Sequence, residues 1–174
     1  MKFKNILLLL VAGLMISNCM AQKEITVPCT DKGKSDAHYF RASSSAKSKD
    51  LSMSKDKSMV STKQVLASLI GSTMKSITEN YTSQLDQSKA TTVKSSFENL
   101  ITEVVNQQLK FVSITCQTTN KTKDGYETFT AIEVPKDDFF RTFTSKVTSD
   151  NNLKVDFDES KFREIFDKQN NLNQ

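Results

Sequence analysis

Residues 91–135 read TTVKSSFENLITEVVNQQLKFVSITCQTTNKTKDGYETFTAIEVP, and this stretch contains both of the periodicities that decide the fold. From Val112 onward, apolar residues alternate with polar ones as in β-strands, and Asp124-Gly125 is typical of a hairpin turn. Before that point the apolar residues recur at helical intervals: Val93, Phe97, Leu100, Ile101, Val104, Val105 and Leu109. The stretch therefore predicts a helix over 91–109 followed by an antiparallel hairpin, with Val112, Ile114 and Cys116 on one face of its first strand.

The chain before this stretch predicts a strand and a long helix. Residues 38–45 supply a short apolar strand, and residues 50–81 carry apolar side chains three, four or seven positions apart. Gly71 lies inside this helix, where it indicates either a close approach of another element or a bend.

The chain after the hairpin predicts two shorter helices. Pro135 ends the second strand, and Asp137 or Asp138 begins a helix that carries three phenylalanines. Asp158 is a good N-cap for a last helix over 159–168, with residues 153–155 as a short strand before it. The fold class is therefore α+β: a small antiparallel sheet, made of one N-terminal strand plus a hairpin, with the long helix and further helices packed on one face.

The first residues have the pattern of a secretory signal. Lys2 and Lys4 give a positive start, and residues 6–16 are almost wholly apolar. This run is shorter than the roughly 20 apolar residues that a transmembrane helix needs. We therefore expect residues 1–21 to be a cleavable signal peptide and the protein to be exported to the periplasm or the outer membrane.

Two interpretations of the cleavage site remain open. In the first, the peptidase cuts between Ala21 and Gln22, and the mature protein is soluble. In the second, residues 14–19 are a lipobox and Cys19 carries a lipid, although Asn18 stands where a small residue is usual. The second interpretation provides the only membrane attachment that the sequence suggests.

The mature chain has the size of one domain. Residues 22–37 contain Pro28 and Gly33 among scattered charges, and we expect them to form an extended arm that is not packed on the domain. Residues 38–168 form the single α+β domain, and residues 169–174 are expected to be a flexible tail. Export places Cys29 and Cys116 in an oxidising compartment, where the two alternatives are a disulfide and two buried free thiols.

The composition excludes several classes of function. The mature chain has no cluster of glycines to hold a phosphate, and its lone His38 argues against zinc motifs and histidine-dependent nucleophiles. No cofactor or metal is therefore expected. Removal of Lys2 and Lys4 lowers the net charge from +4 to +2, too weak a charge to indicate binding to nucleic acid. Carboxylates at 137–138 and at 156, 158 and 159 occur where helices begin, which favours capping over catalysis.

One stretch resembles a known family. It comprises Tyr39-Phe40-Arg41-Ala42, the serines and Ala46 that follow, Asp50, and a helix through Lys55, Lys57, Leu66, Ala67, Ile70, Lys75, Thr78, Glu79 and Tyr81. This stretch resembles the LPP-twenty family of small envelope lipoproteins, which is also similar to the N-terminal domain of a flagellar assembly protein. The resemblance implies an envelope location, an α+β domain and no known catalytic residues.

These observations favour a non-catalytic envelope protein that binds another envelope protein through the face of its sheet or through an exposed edge of the hairpin. Sheet edges are natural pairing sites, so residues 111–117 and 126–134 are the candidates for that contact. One alternative is a protein that binds a small ligand or a cell-wall glycan, which a pocket lined by Phe139, Phe143 and Phe162 would favour. A less favoured alternative is a carboxylate-dependent hydrolase.

Overall fold

A computed structural model of the chain describes residues 26–155 and 157–172. The predicted signal peptide, with Cys19, Ala21 and Gln22, lies outside these residues, as does Asp156. Within the described ranges, no helix is both long and apolar enough to span a bilayer.

The predicted α+β fold class is confirmed. The elements are a short 3-10 helix (Asp31–Gly33), β1 (Tyr39–Ser48), α1 (Leu51–Thr82), α2 (Gln87–Gln108), β2 (Ser113–Thr122), β3 (Gly125–Pro135), α3 (Lys136–Ser149) and α4 (Glu159–Leu172). The three strands form an antiparallel sheet in the order β1-β3-β2, so β3 is the central strand. Helix α1 lies against the sheet, α2 and α4 contact α1, and α3 contacts α2.

Helix α1 packs on the sheet through two chemically different halves. Its first half uses small hydroxyl residues, because Ser54 Oγ lies 2.8 Å from Thr128 Oγ1 and Ser58 donates to Thr130 Oγ1 at 2.8 Å. All four of these side chains are buried. The second half is mainly apolar, with Leu66, Ile70, Met74, Ile77 and Tyr81 fully buried, and it also buries Thr73, Thr78 and Thr82. Each buried hydroxyl in the first half has a partner, so the polar contact avoids the cost of unsatisfied groups.

The aromatic core joins α1, α2, α3 and α4. Phe162 of α4 is fully buried, and its ring centroid lies 5.3 Å from that of Phe143 and 5.4 Å from that of Tyr81. Phe139 is also fully buried and packs edge-to-face on Phe40 at 6.0 Å. Burial of large rings is a major stabilising contribution to a domain of this size.

The predicted N-cap Asp158 and the turn at Gly125 are present, whereas α3 begins at Lys136, directly after Pro135, instead of at Asp137 or Asp138. Asp50 and Asp158 accept backbone N–H bonds from the third residue after each, at 2.8 and 3.0 Å. Phe157, which precedes this cap, contacts Phe162 of the helix, with ring centroids 5.6 Å apart. Gly125 has φ +141°, and a Cβ there would lie 2.3 Å from the carbonyl oxygen of Ser48. The hairpin turn therefore requires glycine at this position.

Three expectations about irregular segments are wrong. The described part of the arm, residues 26–37, is packed rather than free, since its 3-10 helix contacts all three strands. Residues 169–172 belong to α4 instead of a flexible tail, and Asn170 is buried. Residues 151–155 form turns instead of a strand, because the carbonyl and carboxylate of Asp150 accept N–H bonds from the residues that follow.

Gly71 of helix α1 has open space at its Cβ position, so it does not mark a close approach of another element.

Candidate functional site

Strand β2 is the open edge of the sheet. It pairs with β3 on one side, and no strand of the described chain pairs with its other side. Most of its residues are exposed or half-buried, and Ile114 is 55% exposed. The sequence candidate 111–117 therefore includes the first half of a real edge. The candidate 126–134 is wrong, because β3 is paired on both sides.

The arm covers the other edge of the sheet at β1. The hydroxyl of Ser35 accepts the N–H of Arg41 at 2.9 Å and donates to its carbonyl at 3.3 Å. Asp36 makes the equivalent pair with the backbone of Tyr39, through its carboxylate at 2.9 Å and its N–H at 3.2 Å. These bonds satisfy groups that a pairing strand would otherwise use. The first half of β1 is therefore closed to a partner, whereas β2 is open.

An ion cluster holds the arm in this position. Arg41 pairs with Asp36 and, through Nε, with Glu133 Oε2 at 2.7 Å. The hydrogen bond to Glu133 is the largest cause of a raised Arg41 pKa. Burial raises the pKa of Asp36, but backbone N–H bonds and Arg41 outweigh it, so that pKa lies below its ordinary value. The side chains of Arg41 and Glu133 are 22% and 18% exposed and that of Asp36 is 45% exposed, so this partly buried cluster fixes the position of the arm.

A disulfide ties the arm to the open edge strand. Cys29 and Cys116 are bonded, with Cα atoms 5.5 Å apart, and Cys29 has φ 63°. The pairing of β2 with β3 shifts between Ile114 and Cys116, so that Ile114 pairs with Ile132 and Cys116 with Ala131. The predicted common face of Ile114 and Cys116 is therefore wrong. The bulge turns Cys116 to the face of the sheet opposite α1, where the arm lies.

A cavity of about 360 Å³ lies between α1, β1 and the ends of α3 and α4. Its lining residues are Ser35, Phe40, Leu69, Ser72, Thr73, Ser76, Lys136, Gln169 and Asn170. Lys136 is only 4% exposed, and its ammonium lies 5.2 Å from the centre of the Phe40 ring. Burial lowers the pKa of Lys136, although the charge of Asp36 acts in the opposite direction. No pattern in the amino-acid sequence predicts this cavity.

Asn170 is the most unusual residue of the cavity. It is 4% exposed, and neither its Oδ1 nor its Nδ2 has a hydrogen-bond partner among the described residues. Buried side-chain amides almost always have partners, because an unpaired buried polar group is costly. An asparagine near the C-terminal end of an amphipathic helix is not a recognisable sequence signal, and the residue falls in the part of the chain expected to be a tail.

The described residues that were considered for catalysis do not line this cavity. Asp137 pairs with Arg163 at 2.9 Å, and Asp158 caps α4. His38 is exposed, and its backbone carbonyl accepts a hydrogen bond from the Lys136 N–H at 2.8 Å. The rings of Phe139, Phe143 and Phe162, which as the lining of a pocket would have favoured a ligand-binding protein, are all fully buried in the core. This outcome follows from the cost of exposing such rings to water.

The described part of the chain contains no group of three or more His, Cys, Asp or Glu residues that could hold a metal ion. Comparison of the chain with protein-family models, with curated proteins and with solved structures finds no match. The resemblance to the LPP-twenty family therefore stays a prediction.

Proposed function

We propose that this protein is an exported, non-catalytic domain of the bacterial cell envelope that binds an extended segment of another envelope protein along β2. The open edge of this ten-residue strand is the observation that supports the proposal. An edge strand offers a row of backbone donors and acceptors to an incoming strand. The arm closes part of the opposite edge, which leaves β2 as the more accessible of the two.

The side chains of this edge favour a particular partner. Ile114 is 55% and Phe111 78% exposed, which provides apolar surface beside the backbone groups. Residues 109–122 include Lys110 and Lys121 but no aspartate or glutamate. An incoming strand with apolar residues and at least one carboxylate would complement this surface, whereas a basic strand would be repelled.

The first experiment tests export by measuring the N-terminus of the mature protein. Cells that express the full chain are fractionated, and the intact mass and N-terminal peptide of the product are determined by mass spectrometry. We expect an envelope fraction whose chain begins at Gln22, because the segment before it has a signal-peptide pattern. A diacylated Cys19 would support the lipid-anchored alternative, and a cytosolic product that retains Lys2 would contradict export.

The second experiment tests the edge by site-specific cross-linking in cells. A photo-activated amino acid replaces Ile114 in one variant and Val60 in a matched control, since Val60 is 56% exposed on α1. We expect a discrete cross-linked species at position 114 only. A lysine at an adjacent edge position, Phe111→Lys, is expected to reduce that species at least tenfold, because edge lysines oppose strand pairing.

Two outcomes would contradict this proposal. Identical cross-linking patterns at positions 114 and 60 would show that β2 is not a specific surface. A species with twice the mass of the chain would show that the edge pairs with a second copy rather than with a different protein.

A further inference from the structure

The cavity between α1, β1, α3 and α4 brings together a buried cation and an unpaired amide from distant parts of the chain. Lys136 and Asn170 are each 4% exposed, and both line the cavity. Both polar atoms of the Asn170 side chain are buried without a hydrogen-bond partner. The Lys136 ammonium takes part in none of the ion pairs found among the described residues. A buried, unpaired amide in one cavity with an ammonium that has no ion pair is a pattern that points to a ligand.

We propose that this cavity binds a small carboxylate that also carries a hydrogen-bond donor, such as a hydroxy acid, an amino acid or the C-terminal residue of a peptide. This binding site is separate from the β2 edge and does not depend on it. The proposal stands on three features of the cavity: its charge, its unpaired amide and its volume.

The charge of the cavity selects an anion. The Lys136 ammonium contacts the Phe40 ring at 5.2 Å, an interaction that supports a cation but does not neutralise it. The nearby carboxylate of Asp36 is already paired with Arg41 and accepts two backbone N–H bonds. The Lys136 ammonium is therefore available to a ligand. A carboxylate on the ligand can accept its hydrogen bonds in this partly dehydrated position.

The side chain of Asn170 determines which hydrogen-bonding groups the ligand must carry. Its Nδ2 needs an acceptor, which a carboxylate oxygen supplies, whereas its Oδ1 needs a donor, which a simple carboxylate lacks. The hydroxyls of Ser72 and Thr73 already donate to the carbonyl of Leu69, so toward the cavity they act as acceptors. A hydroxyl on the ligand can donate its single proton to Asn170 Oδ1, whereas an ammonium can donate both to Asn170 Oδ1 and to one of these hydroxyls.

The volume limits the size of the ligand. A cavity of about 360 Å³ is at the small end of the range for ligand sites, which suits a molecule of amino-acid to dipeptide size. Phe40 and Leu69 supply an apolar wall for a short aliphatic substituent. A free metabolite and a peptide C-terminus share this chemistry, so the experiment must distinguish them.

A purely structural role for these two residues is disfavoured by their energetics. A buried ammonium without an ion pair and a buried amide without partners both destabilise a fold, compared with apolar residues of similar volume. The variants Lys136→Met and Asn170→Leu are therefore expected to unfold at the same or a higher temperature than the unmodified protein. If both variants keep their stability but lose ligand binding, the two side chains serve the ligand and not the fold.

The experiment is a titration of the isotope-labelled protein followed by NMR chemical shifts. The probes are propionate, L-lactate, L-alanine, N-acetyl-alanyl-alanine and inorganic phosphate, each added to about 10 mM, a concentration that detects affinities in the weak millimolar range. We expect saturable shifts around the cavity with lactate, alanine or the dipeptide, and at least tenfold weaker binding of propionate. Tighter binding of the dipeptide than of lactate and alanine would identify a peptide C-terminus as the source.

The variants complete the test. Lys136→Met is expected to weaken binding of the best probe at least tenfold, and Asn170→Leu to reduce it to the level of propionate. Lys75→Met is the matched control, because Lys75 is exposed on α1 and does not line the cavity. Ile114→Lys, at the β2 edge, should also leave binding unchanged, so a failure of this proposal is distinguishable from a failure of the edge proposal.

Three results would overturn the inference. The first is the absence of a saturable shift with every carboxylate probe. The second is equal affinity for propionate, phosphate and lactate, which would indicate a nonspecific anion site. The third is unchanged binding in folded Asn170→Leu, with its folding checked by thermal unfolding.

Discussion

The double variant C29A/C116A is expected to lose about 4–5 kcal/mol of unfolding free energy. The bridge joins residues 87 positions apart and encloses β1, α1 and α2. On the chain-entropy model, opening a loop of this length stabilises the unfolded state by about that amount. Small domains have total stabilities of only about 5–15 kcal/mol, so the variant would be close to unfolding at 37 °C. Denaturant unfolding followed by circular dichroism measures the loss.

Reduction of the unmodified protein provides the control for this prediction. A thiol reductant should cause a similar loss in the unmodified protein and no change in C29A/C116A. An unmodified protein whose unfolding midpoint is insensitive to reductant would contradict the bridge, as would two alkylatable thiols at Cys29 and Cys116. The result also bears on the β2 edge, because the bridge holds the arm against that strand.

The variant Phe162→Ala is expected to lose about 3–5 kcal/mol, the range for truncation of a buried phenylalanine. Its side chain is fully buried. The rings within 6.2 Å of it, centroid to centroid, belong to Tyr81, Phe97, Phe140, Phe143 and Phe157. The change would therefore leave a cavity at the junction of four helices, and thermal unfolding in a calorimeter would detect it.

Phe111→Ala is the matched control, because that ring is 78% exposed just before β2. Its unfolding free energy should change by no more than about 0.5 kcal/mol. Equal losses in the two variants would contradict the packing of the aromatic core. The same Phe111 variant should weaken cross-linking at the β2 edge if that ring contacts the partner.

Local patterns in the sequence were sufficient to predict most of the elements. Capping by Asp158, the turn at Gly125 and the hairpin depend on neighbours within a few residues, so short spacings reveal them. Helix α2 begins at Gln87 instead of residue 91, because its first turn carries no large apolar residue to mark it.

Features that depend on distant parts of the chain were missed. The first half of α1 packs through Ser54, Ser58 and Thr62, which a hydrophobicity pattern reads as a solvated face. These residues are buried because the facing strand supplies hydroxyl and carbonyl partners more than sixty residues away. The strand order was also missed, since β1 returns to pair with β3 and converts a predicted edge into the centre of the sheet.

The two candidate sites also differ in whether a local sequence pattern reveals them. The edge at residues 111–117 was predicted from its alternation, whereas the bulge that turns Cys116 toward Cys29 has no local signature. The cavity was not predicted, because Phe40, Lys136 and Asn170 come from three segments and none belongs to a motif.

The amino-acid sequence by itself determined the helices, the hairpin and the α+β class, because these depend on periodicity and on caps within one turn. Only the tertiary structure decided which strand is central, where the arm packs and which polar groups are buried without partners. The physical reason is that burial and hydrogen-bond satisfaction are properties of contacts between distant segments, which local periodicity does not specify.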